Sequence, residues 1–175
     1  MFTIVNTAVY GGLMIHGVMP RPQPFTVTDS AWIDVSAVDA DGHWIPAEGD
    51  AAVQILDYLY RHDVDPAQVM AISPFRDTAR QLGRLLARRY PTLLCGNVHT
   101  VQGKERECIL FVLGGNPAKP GALRWAASQP NLLNVAVSRA RQRLYVVGNH
   151  DNWAKLPYFS VLARTLPIRP LRTTG

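Results

Sequence analysis

Four arginines recur at every fourth position, at 76, 80, 84 and 88, directly after an apolar segment that ends in Ser-Pro-Phe. This spacing places them along one face of a helix. A guanidinium is a planar cation that can pair with phosphate oxygens through two parallel hydrogen bonds. We therefore predict a functional role for Arg76 and Arg80, which lie nearest the carboxyl end of the apolar segment. A solvated basic face is the favoured interpretation of Arg84 and Arg88.

A polar cluster, VHTVQGKE, lies between two apolar segments. Gly103 allows the backbone to turn sharply or to approach a ligand closely. Thr100 and the nearby backbone N–H groups are suited to holding a phosphate, and Gln102 and Glu105 to bonding sugar hydroxyls. A plain loop between two strands is the alternative, and a lone histidine such as His99 is more often structural than catalytic.

Two arginines, Arg139 and Arg141, end the segment LLNVAVSRAR. The apolar residues of this segment fall on one helix face, and they are Leu133, Ala136, Val137 and Ala140. An arginine at a domain edge can stabilise the charge that develops on a transferring phosphoryl group. The alternative is an ordinary amphipathic helix whose arginines interact with its C-terminal dipole.

The hydrophobic pattern predicts the elements that position these residues. Strands are expected at 31–35, 69–73, 92–98, 108–113 and 143–148, and helices at 49–62, 77–90, 131–140 and from Asn149 or Asp151 to about 166. A turn is expected at 39–42 and a loop at 114–121. This alternation predicts an α/β fold in which helices cover both faces of a parallel sheet. Ligands bind at the carboxyl ends of such strands, so 74–76, 99–105 and Asn149 are expected at one functional edge.

The composition fits one globular domain with a charged partner. The chain has 175 residues, of which 47% are apolar, and 18 basic against 13 acidic residues give a net charge of +5. This excess fits a polyanion such as DNA or RNA. Cys95 and Cys108 are expected to be buried and reduced, and they make neither a disulfide framework nor a zinc site. No membrane span or secretory signal is evident, so a cytoplasmic protein is expected.

In their order, the three segments resemble motifs of the second, C-terminal motor domain of superfamily 1 DNA/RNA helicases. ISPFR resembles motif IV, VHTVQGKE motif V, and LLNVAVSRARQRLYVVGN motif VI with the strand after it. The likeness covers 31–153 and is strongest to the RNA-surveillance and Okazaki-fragment helicases, which are AAA family ATPases. It implies a RecA-like P-loop NTPase fold and an ATP-dependent 5′-to-3′ helicase or translocase that uses ATP and Mg²⁺ on single-stranded DNA or RNA.

The resemblance also implies roles for single residues. Arg139 matches the arginine finger that reaches the γ-phosphate, and Arg80, with Arg76 as its rival, matches the arginine of motif IV. Nucleotide contacts are implied for Gln102, Gly103, Lys104, Glu105 and Arg141, with Glu105 bonding the ribose. Nucleic-acid contacts are implied for Ser73, Pro74, Asn97, His99 and Thr100. Two positions depart from the family, since Thr78 stands where motif IV has Gln and Asn97 where motif V begins with Thr.

The nucleotide-binding loop is absent from this sequence, because no G-x-x-x-x-G-K-[ST] occurs in it. No acidic pair follows a strand as a metal site would require. Residues 4–14 resemble the stretch after the family's adenine-stacking tyrosine motif. We therefore expect 1–30 to be an N-terminal segment and proline-rich connector from a missing first motor domain, 31–166 the RecA-like domain, and 167–175 a frayed tail.

The expected partners are a single strand and the N-terminal RecA-like domain of the same polypeptide, and the chain alone is expected to be inactive. Two alternatives stay open. One is a non-catalytic nucleic-acid-binding module, and the other is an interaction domain whose arginines lie on a partner surface.

Overall fold

Six parallel strands form one sheet in the computed structural model, which describes residues 29–37, 39–101 and 103–170. The strands are β1 (Ala31–Asp34), β2 (Val69–Ser73), β3 (Leu94–Asn97), β4 (Arg106–Val112), β5 (Ala140–Gly148) and β6 (Ile168–Pro170). Their spatial order is β3-β2-β4-β5-β1-β6. The helices are α1 (Pro46–Arg61), α2 (Arg76–Ala87), α3 (Pro120–Ala127), α4 (Pro130–Ser138), α5 (His150–Trp153) and α6 (Phe159–Thr165), and a 3-10 turn spans Pro66–Gln68.

Two hydrophobic clusters lie on opposite faces of the sheet, because successive strand side chains point to opposite sides. On one face, Val69, Ala71 and Leu110 pack under the apolar sides of α1 and α2. On the other face, Ile72 and Phe111 pack under helices α3 to α6. Strands buried on both faces explain the nearly continuous apolar run of β4. The α/β class with helices on both faces is therefore confirmed.

Several element boundaries differ from the prediction. Helix α1 begins at Pro46 rather than at residue 49, because a proline fits the first turn, where its missing N–H costs nothing. Strands β4 and β5 begin two and three residues earlier than predicted, at Arg106 and Ala140. Their first residues are polar or lie at the end of a helix, so the apolar pattern does not reveal them.

Helix α3 was not predicted. Pro120 and Gly121 suggested a loop, but both lie in the first turn of this helix, and the side chains of Leu123, Ala126 and Ala127 are buried. The single C-terminal helix expected up to about 166 is instead two short helices. A break at 154–158 separates them, with Tyr158 at a φ of 63°.

Three smaller expectations are also wrong. The tail 167–175 was expected to fray, but in its described part Ile168–Pro170 pairs with β1 in parallel as the edge strand β6. Residues 171–175 lie outside the described residues. The spacing of the leucines in the predicted helix 77–90 indicates that Leu82, Leu85 and Leu86 face inward. Leu82 and Leu86 are buried, but Leu85 is 41% exposed. Cys95 is only half-buried, while Cys108 is fully buried. The apolar spacing of residues 1–19 indicates a helix, and the prolines at 20, 22 and 24 indicate extended chain. Both segments lie outside the described residues.

Both cysteines are free thiols. Burial raises the pKa of Cys108 to about 12 and that of Cys95 to about 11. Thiols with such values stay protonated at neutral pH and are poor nucleophiles. In the part of the chain that the structure describes, no helix is both long and apolar enough to cross a membrane.

Candidate functional site

The predicted site residues lie at two edges of the sheet rather than at one. We call the end where the strands finish the carboxyl edge and the end where they begin the amino edge. Ser73 and Asn97 are register partners at the ends of β2 and β3. Arg106 and Ala140 are register partners at the starts of β4 and β5. Motifs IV and V therefore begin at the carboxyl edge, and motif VI ends at the amino edge.

The segment 98–105 connects the two edges, because β3 and β4 both run parallel to β2. The chain leaves β3 at the carboxyl edge and must reach the start of β4 at the amino edge. The expectation that 99–105 lies wholly at the carboxyl edge is therefore wrong. His99 and Thr100 lie there, but Lys104 and Glu105 directly precede β4.

At the carboxyl edge, Asn97 builds a tight turn. Its side-chain Oδ1 accepts hydrogen bonds from the backbone N–H groups of His99 and Thr100, both at 3.0 Å. The Thr100 hydroxyl donates to the Asn97 carbonyl at 3.0 Å. The Asn97 side chain is almost fully buried, so it serves the turn rather than the surface. His99 and Thr100 are exposed on that turn.

Ser73 and Pro74 end strand β2 beside this turn. The Ser73 hydroxyl is buried and accepts a hydrogen bond from the Phe75 backbone at 3.3 Å. The Val98 backbone N–H donates to the Ser73 carbonyl at 3.2 Å, which joins the two strand ends. Ser73 is thus a support for the edge, and Pro74 lines its surface.

A second layer of hydrogen bonds fixes the loops behind the carboxyl edge. The buried carboxyl group of Glu48 accepts a hydrogen bond from the Gly114 backbone at 2.7 Å. Burial raises the pKa of Glu48 to about 8. The Thr78 hydroxyl donates to the His43 carbonyl at 2.9 Å, and the His43 ring stacks on Phe75 with ring centroids 4.2 Å apart. Thr78, which stands where the family has Gln, therefore has a structural role here.

A cleft of about 290 Å³ opens at the carboxyl edge. It is lined by Pro74, Phe75, Arg76, His99 and Trp125. Arg76 and His99 are exposed, and half of the Trp125 surface is exposed. The sequence analysis missed Trp125, because the short apolar stretch around it does not show which of its side chains points outward. A tryptophan beside an arginine, just after the predicted loop at 114–121, was the available signal.

At the amino edge, Arg139 ends helix α4 and directly precedes β5. Its carbonyl accepts a hydrogen bond from the Arg106 backbone at 3.1 Å. The Nε atoms of Arg139 and Arg106 are both shielded from solvent, and neither has a hydrogen-bond partner within the described ranges. Buried polar atoms are normally paired. A guanidinium with a spare donor is suited to an anion.

An exposed ion-pair network lies next to these two arginines. The Arg141 guanidinium bonds Glu105 at 3.1 Å and Glu107 at 3.5 Å, and Gln142 bonds Glu107 at 2.7 Å. The hydrogen bond to Glu105, and next the bond to Glu107, raise the pKa of Arg141. The structure thus brings together Arg139, Glu105, Lys104 and Arg141. Gly103 precedes them with a φ of 81°, which favours glycine, and Gln102 lies outside the described residues.

Arg76 and Arg80 are not part of this amino-edge group. Arg76 begins α2 just beyond Ser73, which is level with the end of β4. The ends of β4, Arg106 and Val112, are six residue steps apart, or roughly 20 Å at about 3.3 Å per step. Helix α2 returns along the sheet, since the Cys95 thiol in β3 contacts the Ala79 carbonyl at 3.6 Å. Arg80 is therefore at an intermediate height and exposed.

The described residues contain no group of three or more His, Cys, Asp or Glu side chains that could hold a metal ion. Glu105 and Glu107 at the amino edge are already paired with Arg141 and Gln142. The chemistry that this arrangement supports is the binding of anions by cationic side chains at both edges.

Comparison with known proteins places this chain among relatives that are helicases. A probable helicase of Dictyostelium discoideum is 31% identical over 96 residues, which are 55% of this chain and 10% of that protein. A DNA replication ATP-dependent helicase/nuclease of Arabidopsis thaliana is 27% identical over 124 residues, or 67% of this chain and 9% of that protein. The chain thus spans about a tenth of the length of these relatives.

A solved C-terminal domain of a possible DNA helicase from Lactobacillus plantarum is 16% identical, with a TM-score of 0.48. The match covers 82% of this chain and 85% of that one. A family profile described as an AAA domain matches residues 14–151, well over half of the sequence. Together with the helicase relatives, this match confirms the resemblance drawn from the three motifs. The chain belongs to the AAA domain family.

Proposed function

We propose that this chain is the second, C-terminal motor domain of an ATP-dependent nucleic-acid helicase or translocase. The observation that carries the proposal is the amino-edge arginine Arg139, whose Nε is shielded from solvent and has no partner among the described residues. In a AAA domain, an arginine at a domain edge is the group expected to meet the γ-phosphate of ATP that is bound to a neighbouring domain.

The amino edge is the proposed contribution to the nucleotide site. Arg139 would stabilise negative charge on the transferring phosphoryl group, since a guanidinium held in place needs no reorganisation when charge develops. Glu105 would bond a ribose hydroxyl, and Lys104 and Arg141 would add positive charge beside it. In the present structure Arg141 holds the Glu105 carboxylate at 3.1 Å, so ribose binding would share or exchange this contact.

The phosphate cradle and the Mg²⁺ ligands would come from an N-terminal RecA-like domain of the same polypeptide. Two observations support this division: the sequence lacks a nucleotide-binding loop, and the described residues lack an acidic metal cluster. Bound Mg²⁺ supplies neutralisation of phosphate charge in this class of enzyme. We therefore propose that the isolated chain has no measurable ATPase, and turnover above that of an Arg139→Ala sample purified in the same way would contradict this.

The carboxyl edge is the proposed track for a single strand of DNA or RNA. The exposed backbone turn at His99 and Thr100, together with Pro74, would contact the phosphates and sugars. Arg76, which lines the same cleft, is better placed for this strand than for the nucleotide. Arg80 stays the second candidate for a phosphate contact of the nucleotide. The net charge of +5 supports a polyanionic partner.

The test is an ATPase assay on a polypeptide that carries the first motor domain together with this chain, with and without single-stranded DNA or RNA. We expect Arg139→Ala to lower the stimulated turnover by about 10³-fold or more, as for other arginine fingers. Arg164→Ala is the matched control, because Arg164 is exposed on α6 and bonds only to Ser160 of its own helix among the described contacts. An Arg139→Ala enzyme with unchanged stimulated turnover would overturn the assignment.

A non-catalytic nucleic-acid-binding module is the second candidate. The cleft at the carboxyl edge fits this module as well as it fits a motor domain, since binding a strand in the cleft does not require ATP. It would be supported if the strand bound in a salt-dependent manner while the two-domain polypeptide hydrolysed no ATP.

A further inference from the structure

We propose that Trp125 stacks on one unpaired base of the bound strand, in the cleft that it shares with Arg76 and His99. This inference rests on the proposed function, because it requires a single strand at the carboxyl edge. It adds a contact to a base, whereas the motif residues of this edge offer contacts to phosphates and sugars.

The exposure of Trp125 is the first observation. Half of its surface is open, although α3 is anchored firmly by its neighbours Leu123, Ala126 and Ala127, which are 5%, 0% and 0% exposed. By contrast, Trp32 and Trp153 are fully buried, and each donates a hydrogen bond from its indole nitrogen to a backbone carbonyl. Trp125 therefore contributes an aromatic face to the surface rather than to the core.

The surroundings of Trp125 are the second observation. The cleft joins three separate elements: the turn after β2, the turn after β3, and α3. Its lining combines an aromatic ring, a guanidinium and an imidazole. Sites that bind single strands pair such cationic groups, which contact the backbone, with aromatic rings on which bases stack.

The size of the cleft is the third observation. Its volume of about 290 Å³ is at the lower limit of the pockets that hold small molecules. A cleft this small suits one planar ring system better than a folded peptide segment. Phe75 forms part of its lining and is itself fixed by stacking on His43, with the rings inclined by 15°. The Phe75 wall of the cleft is thus held in place by a neighbouring ring.

The test compares the binding of two labelled 12-nucleotide DNA strands, measured by fluorescence anisotropy at low salt. One is oligo(dT), and the other is an abasic strand with the same number of phosphates. The proteins are the wild-type chain, Trp125→Ala, Trp125→Phe and Tyr60→Ala. Tyr60 is the matched control, because it is a 63% exposed aromatic residue on α1, away from the cleft.

We expect Trp125→Ala to weaken oligo(dT) binding about tenfold, which corresponds to one stacked base. Binding of the abasic strand should stay unchanged. Trp125→Phe should restore most of the affinity for oligo(dT), and Tyr60→Ala should alter neither affinity. Emission of the wild-type protein should also be quenched by oligo(dT) and less so in Trp125→Phe. Trp32 and Trp153 are shielded, and the partly buried Trp44 packs against the hydrophobic cluster on the other face of the sheet.

The opposite results separate the two proposals. If the wild-type chain binds oligo(dT) and Trp125→Ala binds it equally well, or if both strands weaken alike, base stacking is overturned while strand binding stands. If the wild-type chain binds neither strand, the proposed carboxyl-edge track fails and this inference fails with it.

Discussion

The carboxyl edge and the amino edge of the sheet are built in different ways. At the carboxyl edge, buried polar groups such as Glu48, Thr78 and Asn97 hold the loops through hydrogen bonds to backbone atoms. At the amino edge, the charged groups of Arg141 and Glu105 are exposed and pair with each other. The first edge is rigid before any ligand arrives, whereas the second carries charge that a partner can use.

This difference predicts which substitutions should lower the free energy of unfolding and which should not. Removing a buried hydrogen bond or distorting a fixed turn costs folding free energy. Removing an exposed ion pair costs little, because water solvates the separated charges well. We therefore expect the carboxyl edge to govern the stability of the fold, and the amino edge to govern catalysis with little effect on stability.

The largest expected effect on stability is at Gly114, which follows β4 with a φ of 62°. A Cβ at this position would lie 2.6 Å from the His43 carbonyl oxygen and 2.6 Å from the Thr78 hydroxyl. Gly114→Ala should lower the free energy of unfolding by about 2–4 kcal/mol, measured by denaturant titration. The control is Gly121→Ala in α3, where a Cβ meets no atom within 4 Å and which should stabilise slightly. Equal stability of the two variants would contradict this view of the edge.

The next effect is the dependence of stability on pH that Glu48 causes. Its pKa in the folded protein is about 8, against 4.5 for an unperturbed carboxyl group. Between these values the folded state keeps a proton that the unfolded state has released. Stability should therefore fall as the pH rises from about 4.5 to 8, with a limit of about 1.4 kcal/mol per pH unit from this group.

Glu48→Gln removes this titration and keeps an oxygen that can accept the Gly114 N–H. Unfolding free energies measured at pH 5 and pH 7 should differ less in the variant than in the wild type, by about 2 kcal/mol. Other groups titrate alike in both proteins, so the comparison isolates Glu48. Parallel pH profiles would show that the carboxyl group is not buried as a neutral acid.

A smaller effect is expected for Thr78→Val. The variant keeps the shape of the side chain but loses the hydrogen bond to the His43 carbonyl, which still accepts one from Gly115 at 2.8 Å. We expect a loss of about 1 kcal/mol in denaturant unfolding. The control is Thr165→Val on α6, where the hydroxyl is exposed and bonds only within its own helix. A larger loss at Thr165 would reverse the expected order.

The smallest effect is expected for Arg141→Gln at the amino edge. Both partners of the Arg141–Glu105 pair are largely exposed, so the midpoint of thermal unfolding should stay within about 1 °C of the wild type. Differential scanning calorimetry would check this. A clearly lower midpoint would mean that the amino edge also holds the fold together.

The sequence predicted the layers of this fold better than the position of its site. Apolar segments such as 69–73 and 108–112 identify buried strands, because burial on both faces leaves no polar positions. The pairing of Glu105 with Arg141 could not be predicted in this way. It depends on β4 lying beside β5, and the order of strands follows from long-range packing that no local pattern contains.

Trp125 and Glu48 show the same limit for single residues. The sequence did not indicate a role for either residue. For Trp125 one must know which side of α3 faces solvent, and for Glu48 one must know that the backbone of Gly114 lies beside it. The arginines of motif VI were found from the sequence, because their order and spacing are a local property. The separation of these arginines from Arg76, which lies at the opposite edge, could not be found from the sequence.

The most direct test of the account measures two properties of one two-domain protein: ATP turnover stimulated by a single strand, and the affinity for that strand. The account predicts opposite profiles for Arg139→Ala and Arg76→Ala. Arg139→Ala should lose about 10³-fold in turnover and keep its strand affinity within about twofold, whereas Arg76→Ala should weaken strand binding first. Equal losses of both properties in both variants, or full turnover in Arg139→Ala, would contradict a division of labour between the two edges.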